Sequence, residues 1–316
     1  MVGAAYTGVS RFALLTKETA WGNGTGTATI YPILVGDDGI SLTQNPGQNI
    51  LETNTGHGRP FYFNGGVNEV TGSLNTIIDE TCGLEIIQWG STIASNDLHS
   101  YFADIGGGLL ADESNDGYRW TGLKVASMTL TSGADAGAQR LAAALTLQGK
   151  GFSEVDVAAE SFSNYSPAAG FMHHQGKCTL GDAGGVENLT VRDFSMTFTN
   201  NLDVGTGTGT TPQWCTFTGR TVTCDVTLQF SNTSMLNAFQ SSNAIAGATK
   251  CTLEMVYTMD TGGKKLTLDM HSNVVITSFE IQNSLGGMAL AAVSFTALLD
   301  TAATDTDFTV TETVVS

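Results

Sequence analysis

The side chains able to do chemistry in this sequence are few and scattered. His173 and His174 are followed by Cys178, soft donors of the kind that hold a transition metal. Neighbouring histidines on an extended segment point to opposite faces, however, and no second donor pair follows at a recognisable spacing. Polar linker histidines are the better reading. Asp37-Asp38 and the Asp305/Asp307 pair offer carboxylates for acid–base work or for calcium. The DxDxDG ladder of a calcium loop is absent, so solvated loop acids are favoured. The run GNGTGTAT at 22–29 has the composition of a phosphate cradle, yet no GK[ST] follows and no helix opens behind it. GxSxG, HExxH and a Cys/His catalytic signature are missing. Trp21, Trp89, Trp120 and Trp214 sit at strand or helix edges, as core plugs rather than a sugar-binding platform. These residues point to no catalysis, no metal and no cofactor.

Composition narrows the class. The chain of 316 residues is 41% hydrophobic but only 14% charged, well below the usual quarter. Its surface must therefore be Thr, Ser, Asn and Gly, or be covered by neighbours. With 38 Gly, many Thr and 5 Pro it suits β structure with tight turns. A net charge of −17 argues against a conventional DNA- or RNA-binding surface. Cys82, Cys178, Cys215, Cys224 and Cys251 make an odd set without CxxC, which favours assembly in a reducing cytoplasm over a disulfide scaffold. The first residues, MVGAAYTGVSRFALLTKETAWG, lack a signal-peptide layout. No apolar run reaches about 18 residues, so no helix is expected to cross a membrane.

The elements that must position these residues are written twice. Gly66–Gln88 (GVNEVTGSLNTIIDETCGLEIIQ) returns as GRTVTCDVTLQFSNTSMLNAFQ at 219–240. In the second copy Val222, Cys224, Val226, Leu228 and Phe230 alternate with Thr221, Thr223, Asp225, Thr227 and Gln229, a strand with one buried and one wet face. Helical spacing follows at Met235, Leu236 and Phe239, and a helix is expected over 76–89 in the first copy. Leu84, Ile87, Trp89, Val222, Val226, Phe230, Leu236 and Phe239 are the expected core under these helices. Further matches keep the same order: 40–45 with 196–201, Pro60 with Pro212, 125–130 with 276–281, and 143–147 with 291–295. A shared shift of phase predicts β-bulges at Ser127 and Ser278. The repeat is too long for a solenoid.

The expected fold is mainly β: two tandem copies of a β-sandwich or barrel domain, each with one short α-helix. Residues 1–150 form the first domain with an N-terminal arm, 151–187 a linker, and 188–316 the second domain with a C-terminal tail. That tail is either a disordered end or a strand given to a neighbour. Residues 45–60 and 91–119 read as long loops.

The order of these segments resembles the phage tail tube protein family, in its long form with a duplicated tube domain. The carrying stretches are GVSRFALLTKETAWGNG leading to YPILVGDDGISL, then FNGGVNEVTGSL, GLKVASMTLTSGADAG, LTLQGKG, FSMTFTNNLD and TGRTVTCDVTLQF, over about residues 10–297. The resemblance implies a structural virion protein whose rings stack into a hollow tail around a tape measure protein, between a tail terminator and baseplate or tip proteins. DNA passes without specific binding, and no membrane is involved. The protein belongs in the virion tail, after assembly in the host cytoplasm. Two tube domains per chain imply three chains per ring with pseudo-sixfold symmetry. If polar strand faces line the channel, Thr71, Ser73, Asn75, Thr129, Thr223, Asp225, Thr227 and Glu280 face it. In the first long loop, Asn45, Gln48, Asn49, Glu52, Asn54, His57 and Arg59 are ring-stacking candidates. The rival readings are a secreted β-sandwich adhesin or carbohydrate-binding module, and a hydrolase with buried acids.

Overall fold

The computed structural model describes residues 12–27, 29–33, 35–51, 62–94, 97–106, 117–135, 139–155, 169–182, 185–229, 251–260, 263–282, 290–298 and 307–315. Runs alternating apolar with Thr, Ser or Asn make long strands, because every second side chain can be buried while its neighbours stay wet. In chain order these are β1 (Phe12–Lys17), β2 (Tyr31–Ile33), β3 (Val35–Leu51), β4 (Tyr62–Ile77), β5 (Ile93–Ala94), β6 (Asp97–Leu98), β7 (Tyr101–Gly106), β8 (Gly117–Gly133) and β9 (Ala142–Gly149). They continue as β10 (Gly151–Val155), β11 (Gly176–Asp182), β12 (Gly185–Leu189), β13 (Val191–Gly205), β14 (Trp214–Gln229), β15 (Cys251–Thr258), β16 (Lys264–Gln282), β17 (Leu290–Ala297) and β18 (Thr309–Val314). One α-helix, α1 (Gly83–Ser91), is found among the described residues.

Strand pairing follows the same order in both halves of the chain. β1 lies between β2 and β7; β7 and β10 flank the N-terminal part of β8; the C-terminal part of β8 leads through β9 and β4 to β3. In the same way β11 lies between β12 and β15, β15 and β18 flank the N-terminal part of β16, and its C-terminal part leads through β17 and β14 to β13. Register shifts fall between Val125 and Ser127 on β8 and between Ile276 and Ser278 on β16, the two bulges read from the sequence. One more ladder, β8 with β13, joins the two series. The strands β3-β4-β9-β8-β13-β14-β17-β16 thus form one continuous antiparallel run.

The apolar face of this run feeds a single buried cluster that spans both halves, from Leu15, Leu74, Met128 and Leu145 to Phe198, Val226, Val293 and Ile276. Helix α1 packs on β8, where Gly90 comes so near Met128 that a Cβ would lie 2.8 Å from its Sδ. Trp89, fully buried, donates its indole N–H to the Leu123 carbonyl at 3.3 Å.

Several boundaries differ from the sequence reading. The first helix begins at Gly83 rather than 76, because Thr76 and Ile77 are still paired to Ala143 and Ala142. The stretch 45–60 is not a loop throughout: β3 runs to Leu51, with Gln48 opposite Gly65 and Asn49 opposite Asn64, so a two-stranded ribbon extends past the sheet. Within 91–119, Tyr101 and Ala103 are buried on β7 between β1 and β8. The expected linker holds β10 and β11 and most of β12, whose short runs carry too few residues to show a period. The N-terminal arm contains β1, and the tail contributes β18 to β16 of its own chain. The helix expected around Leu236 and Phe239, and Phe230 itself, lie outside the described residues.

All five cysteines are buried, and none of them is joined in a disulfide. Burial raises the thiols of Cys82 and Cys178 to about 12 and that of Cys215 to about 11, and pushes Cys224 up as well. At pH 8 a thiol with a pKa of about 12 is only about 0.01% thiolate. The native protein is therefore expected to resist an aromatic disulfide reagent and to release its thiols only on unfolding in guanidinium. Rapid reaction of the native chain would contradict this burial.

Candidate functional site

Because side chains opposite one another across a ladder share a face, the register fixes what lies on the polar side of the eight-strand run. One row reads Asn75, Ala144, Thr129, Thr197, Thr223, Thr296. The next reads Ser41, Ser73, Thr146, Ser127, Thr199, Thr221. A third runs Thr131, Ser195, Asp225, Ser294, Ser278, and a fourth Asp193, Thr227, Ala292, Glu280. Thr43 and Thr71 continue the face toward β3. Thus Thr71, Ser73, Asn75, Thr129, Thr223, Asp225, Thr227 and Glu280 share one surface; Asp225 and Glu280 are exposed and the others half-buried. The hydroxyls partly bind each other, as Ser127 with Thr146 at 2.5 Å and Thr129 with Thr197 at 3.2 Å across the joint between the halves. Hydroxyls, small residues and a few acids make up these rows, and the cations beside them are tied to acids: Arg192 to Asp193 at 3.8 Å, and Lys124, which follows Gln148 in the row of Thr71, to Asp97.

The residues suspected of chemistry have other work. The glycine-rich turn is filled by the chain's own carboxylate. Gly22 and Gly24, at φ +66° and +62°, donate their amides to Glu18, as does Gly122. A phosphate there would have to displace a buried acid. His173 bonds Ser132 through Nδ1 at 3.2 Å and meets the Val191 carbonyl through Nε2 at 3.2 Å, so it braces β8 and β13 instead of lying in a linker. Asp307 is no solvated acid but half of a buried ion pair with Arg220. Asp37 and Asp38 fall within β3, and Asp305 lies outside the described residues. Among the tryptophans, Trp89 is a core plug, Trp21 and Trp120 are half-buried, and Trp214 is 43% exposed over Gly205. No group of three or more His, Cys, Asp or Glu suited to a metal occurs among the described residues.

The polar joint between the halves is not foreshadowed by any motif. The buried ammonium of Lys124 on β8 reaches both oxygens of Asp97 at 2.6 and 2.7 Å and also the Cys215 carbonyl on β14. Arg220 on β14 donates to Asp307, at 3.0 Å from Nε, and to the Ser91 carbonyl at the end of α1. Asn200 on β13 donates to the carbonyls of Gly90 and Val125, at 2.9 and 3.0 Å. Each bond crosses between halves or anchors an element that does. Such contacts lie far apart in sequence, and no local pattern marks them.

Of the expected core, Ile87, Trp89, Val222 and Val226 are buried and Leu84 is half-buried. Asn45 is exposed near the base of the ribbon; the side chains of Gln48 and Asn49 and all of Glu52, Asn54, His57 and Arg59 lie outside the described residues.

The run of strands ends on two bare margins. Among the described residues no strand pairs with the outer edge of β3 or with that of residues 275–282 on β16. Ile281 is 41% exposed there, whereas Leu130, which stands opposite Ala143 as Ile281 stands opposite Ala291, is fully buried beside Met196. An open edge with an exposed isoleucine is a template for another strand. A comparison with family models matches residues 8–297 to the phage tail tube protein. The chain belongs to the phage tail tube protein family. No curated protein matches the sequence. As a tail tube protein it is a structural component of a phage tail and assembles with itself into the tube. Self-association gives the open margins and the charge-poor surface a physical purpose, since both are costly on a solitary particle.

Proposed function

We propose that three copies of this chain join edge to edge into a ring, and that rings stack into the hollow tube through which DNA is ejected. The observation that carries this reading is the β8–β13 ladder, which welds two series of like-ordered strands side by side within one chain. We read those series as two copies of one tube domain, with the boundary between β10 and β11. The same weld between β16 of one copy and β3 of the next then repeats around the ring, a heterologous contact that closes when its rotation divides the circle. The polar rows face the lumen, where hydroxyls, a few acids and cations already paired to acids let phosphates slide without binding. The β3–β4 ribbon reaches the next ring. Tape measure, terminator and baseplate or tip proteins complete the tail, which is assembled in the host cytoplasm.

The internal weld also supplies a register. Leu42 stands opposite Gly72 as Met196 stands opposite Cys224, and Ile281 holds the place of Leu130. Met196 faces Leu130, so Leu42 of one copy should face Ile281 of the next. Opposed antiparallel residues lie about 4.5–5.5 Å apart, within disulfide reach. A Leu42→Cys, Ile281→Cys double variant should, on mild oxidation of assembled protein, give covalent trimers on a denaturing gel, while either single variant stays monomeric. Assemblies that fail to cross-link would overturn the register. A wild-type chain that stays monomeric at every concentration in negative stain and sedimentation would overturn the ring itself.

A further inference from the structure

We propose that Tyr118, Trp120 and Phe152 form a contact between neighbouring copies, covered on the first half of one chain by the second half of the next. This rests on the ring reading and adds a surface to it, apart from the paired edges. The three rings form one aromatic group. Trp120 and Phe152 face each other across β8 and β10 with ring centroids 4.9 Å apart and stacked, and Tyr118 meets Phe152 edge-on at 6.1 Å. Tyr118 is 46% and Phe152 47% exposed.

The second half shows what becomes of these positions once a neighbouring half is present. Register identifies their counterparts. Ala13 lies between Ile33 and Ile105, and Cys178 between Leu189 and Met255. Tyr118 faces Ile105 as Leu268 faces Met255, and Trp120 faces Ala103 as Met270 faces Leu253. Asp269 faces Thr309, which sets Phe308, one residue earlier, beside Met270, as Phe152 is set beside Trp120. Leu268 and Met270 are fully buried and Phe308 is 3% exposed. Two of these places are thus bare and the third half-buried in one half, while all three are sealed in the other.

What differs is the preceding half. Helix α1, from the first half, packs against β18 and β13 of the second. Phe308 packs edge-on against Phe198 at 4.7 Å, and the adjoining Asp307 is tied through Arg220 to the carbonyl of Ser91 at the end of α1. For the first half of a chain, the half that precedes it around a ring belongs to another copy. The occupant of the aromatic group is therefore a second copy of this chain. Aromatic side chains that are exposed on the free subunit and desolvated on docking are the usual anchors of such contacts.

Hydroxyl-radical footprinting read by mass spectrometry, on free chain and on sedimented polymer, tests this. Tyr118 and Phe152 should react readily in the free chain and fall in the polymer to the level of Tyr257, which is fully buried in the single chain. A Phe152→Asp variant should keep the far-ultraviolet circular dichroism and thiol protection of the wild type while losing polymer, and Phe152→Leu should retain it. Polymer in which both residues stay as reactive as in the free chain overturns this contact and leaves the ring standing. Protection already present in the free chain overturns it too, since the cover would then be the chain's own. Failure of the wild type to polymerise at all overturns ring and contact together.

Discussion

Asp307→Ala is expected to lower the melting temperature by on the order of 10 °C, and pairing it with an apolar replacement of Arg220 should recover most of that loss. Both side chains of the ion pair are nearly out of water, at 3% and 9% exposure. Removing the carboxylate leaves the guanidinium buried with the Ser91 carbonyl as its remaining bonded acceptor among the described residues. Breaking such a pair from one side costs about 3–5 kcal/mol, whereas replacing both partners with apolar groups is often neutral. At about 2–4 °C per kcal/mol for a chain of a few hundred residues, the single variant should show a clear shift in thermal unfolding. The Arg220→Met, Asp307→Leu double variant measures the coupling between the two sites. An unchanged midpoint for Asp307→Ala would mean that the pair does not hold α1, β14 and the approach to β18 together.

That pair also marks the limit of what the sequence discloses. Strands with one wet face announce themselves: Leu141, Ala143, Leu145 and Leu147 alternate with polar or small residues, and all four are buried. The bulges at Ser127 and Ser278 were legible because each flips the phase of an otherwise regular pattern. Short strands were not, since five residues such as Gly151–Val155 carry too little periodicity to separate from a loop. Matching by residue type also slipped. Ile40 resembles Met196, but strand pairing puts Leu42 in that place, because a two-residue shift preserves the alternation and leaves the pattern equally satisfied. The polar face of the candidate lumen was readable residue by residue, while the buried ions of the joint were not. Lys124 sits amid Gly-Leu and Val-Ala and looks like an ordinary surface lysine until β6 and β14 close over it.

Val226→Asp should be more damaging still, and its neighbours supply the control. Val226 is 2% exposed on the apolar face of β14, opposite Phe194 and Val293. The substitution forfeits about 1.5–3 kcal/mol of apolar burial and sets a carboxylate where no hydrogen-bond partner waits, a further penalty of several kcal/mol. Against a total stability of about 5–15 kcal/mol, this is expected to abolish cooperative thermal unfolding, and with it any polymer. One residue earlier the chain carries an acid, Asp225, exposed on the other face. Thr227→Asp, one residue later on that same polar face, meets Asp193 across the ladder and should cost on the order of 1 kcal/mol, far less than Val226→Asp. Three consecutive positions thus give tolerated, destructive and tolerated carboxylates, a period of two that only a strand buried on one side can produce. A folded, polymer-forming Val226→Asp protein in circular dichroism and negative stain would reverse the assignment of faces, and with it the choice of which surface meets the DNA.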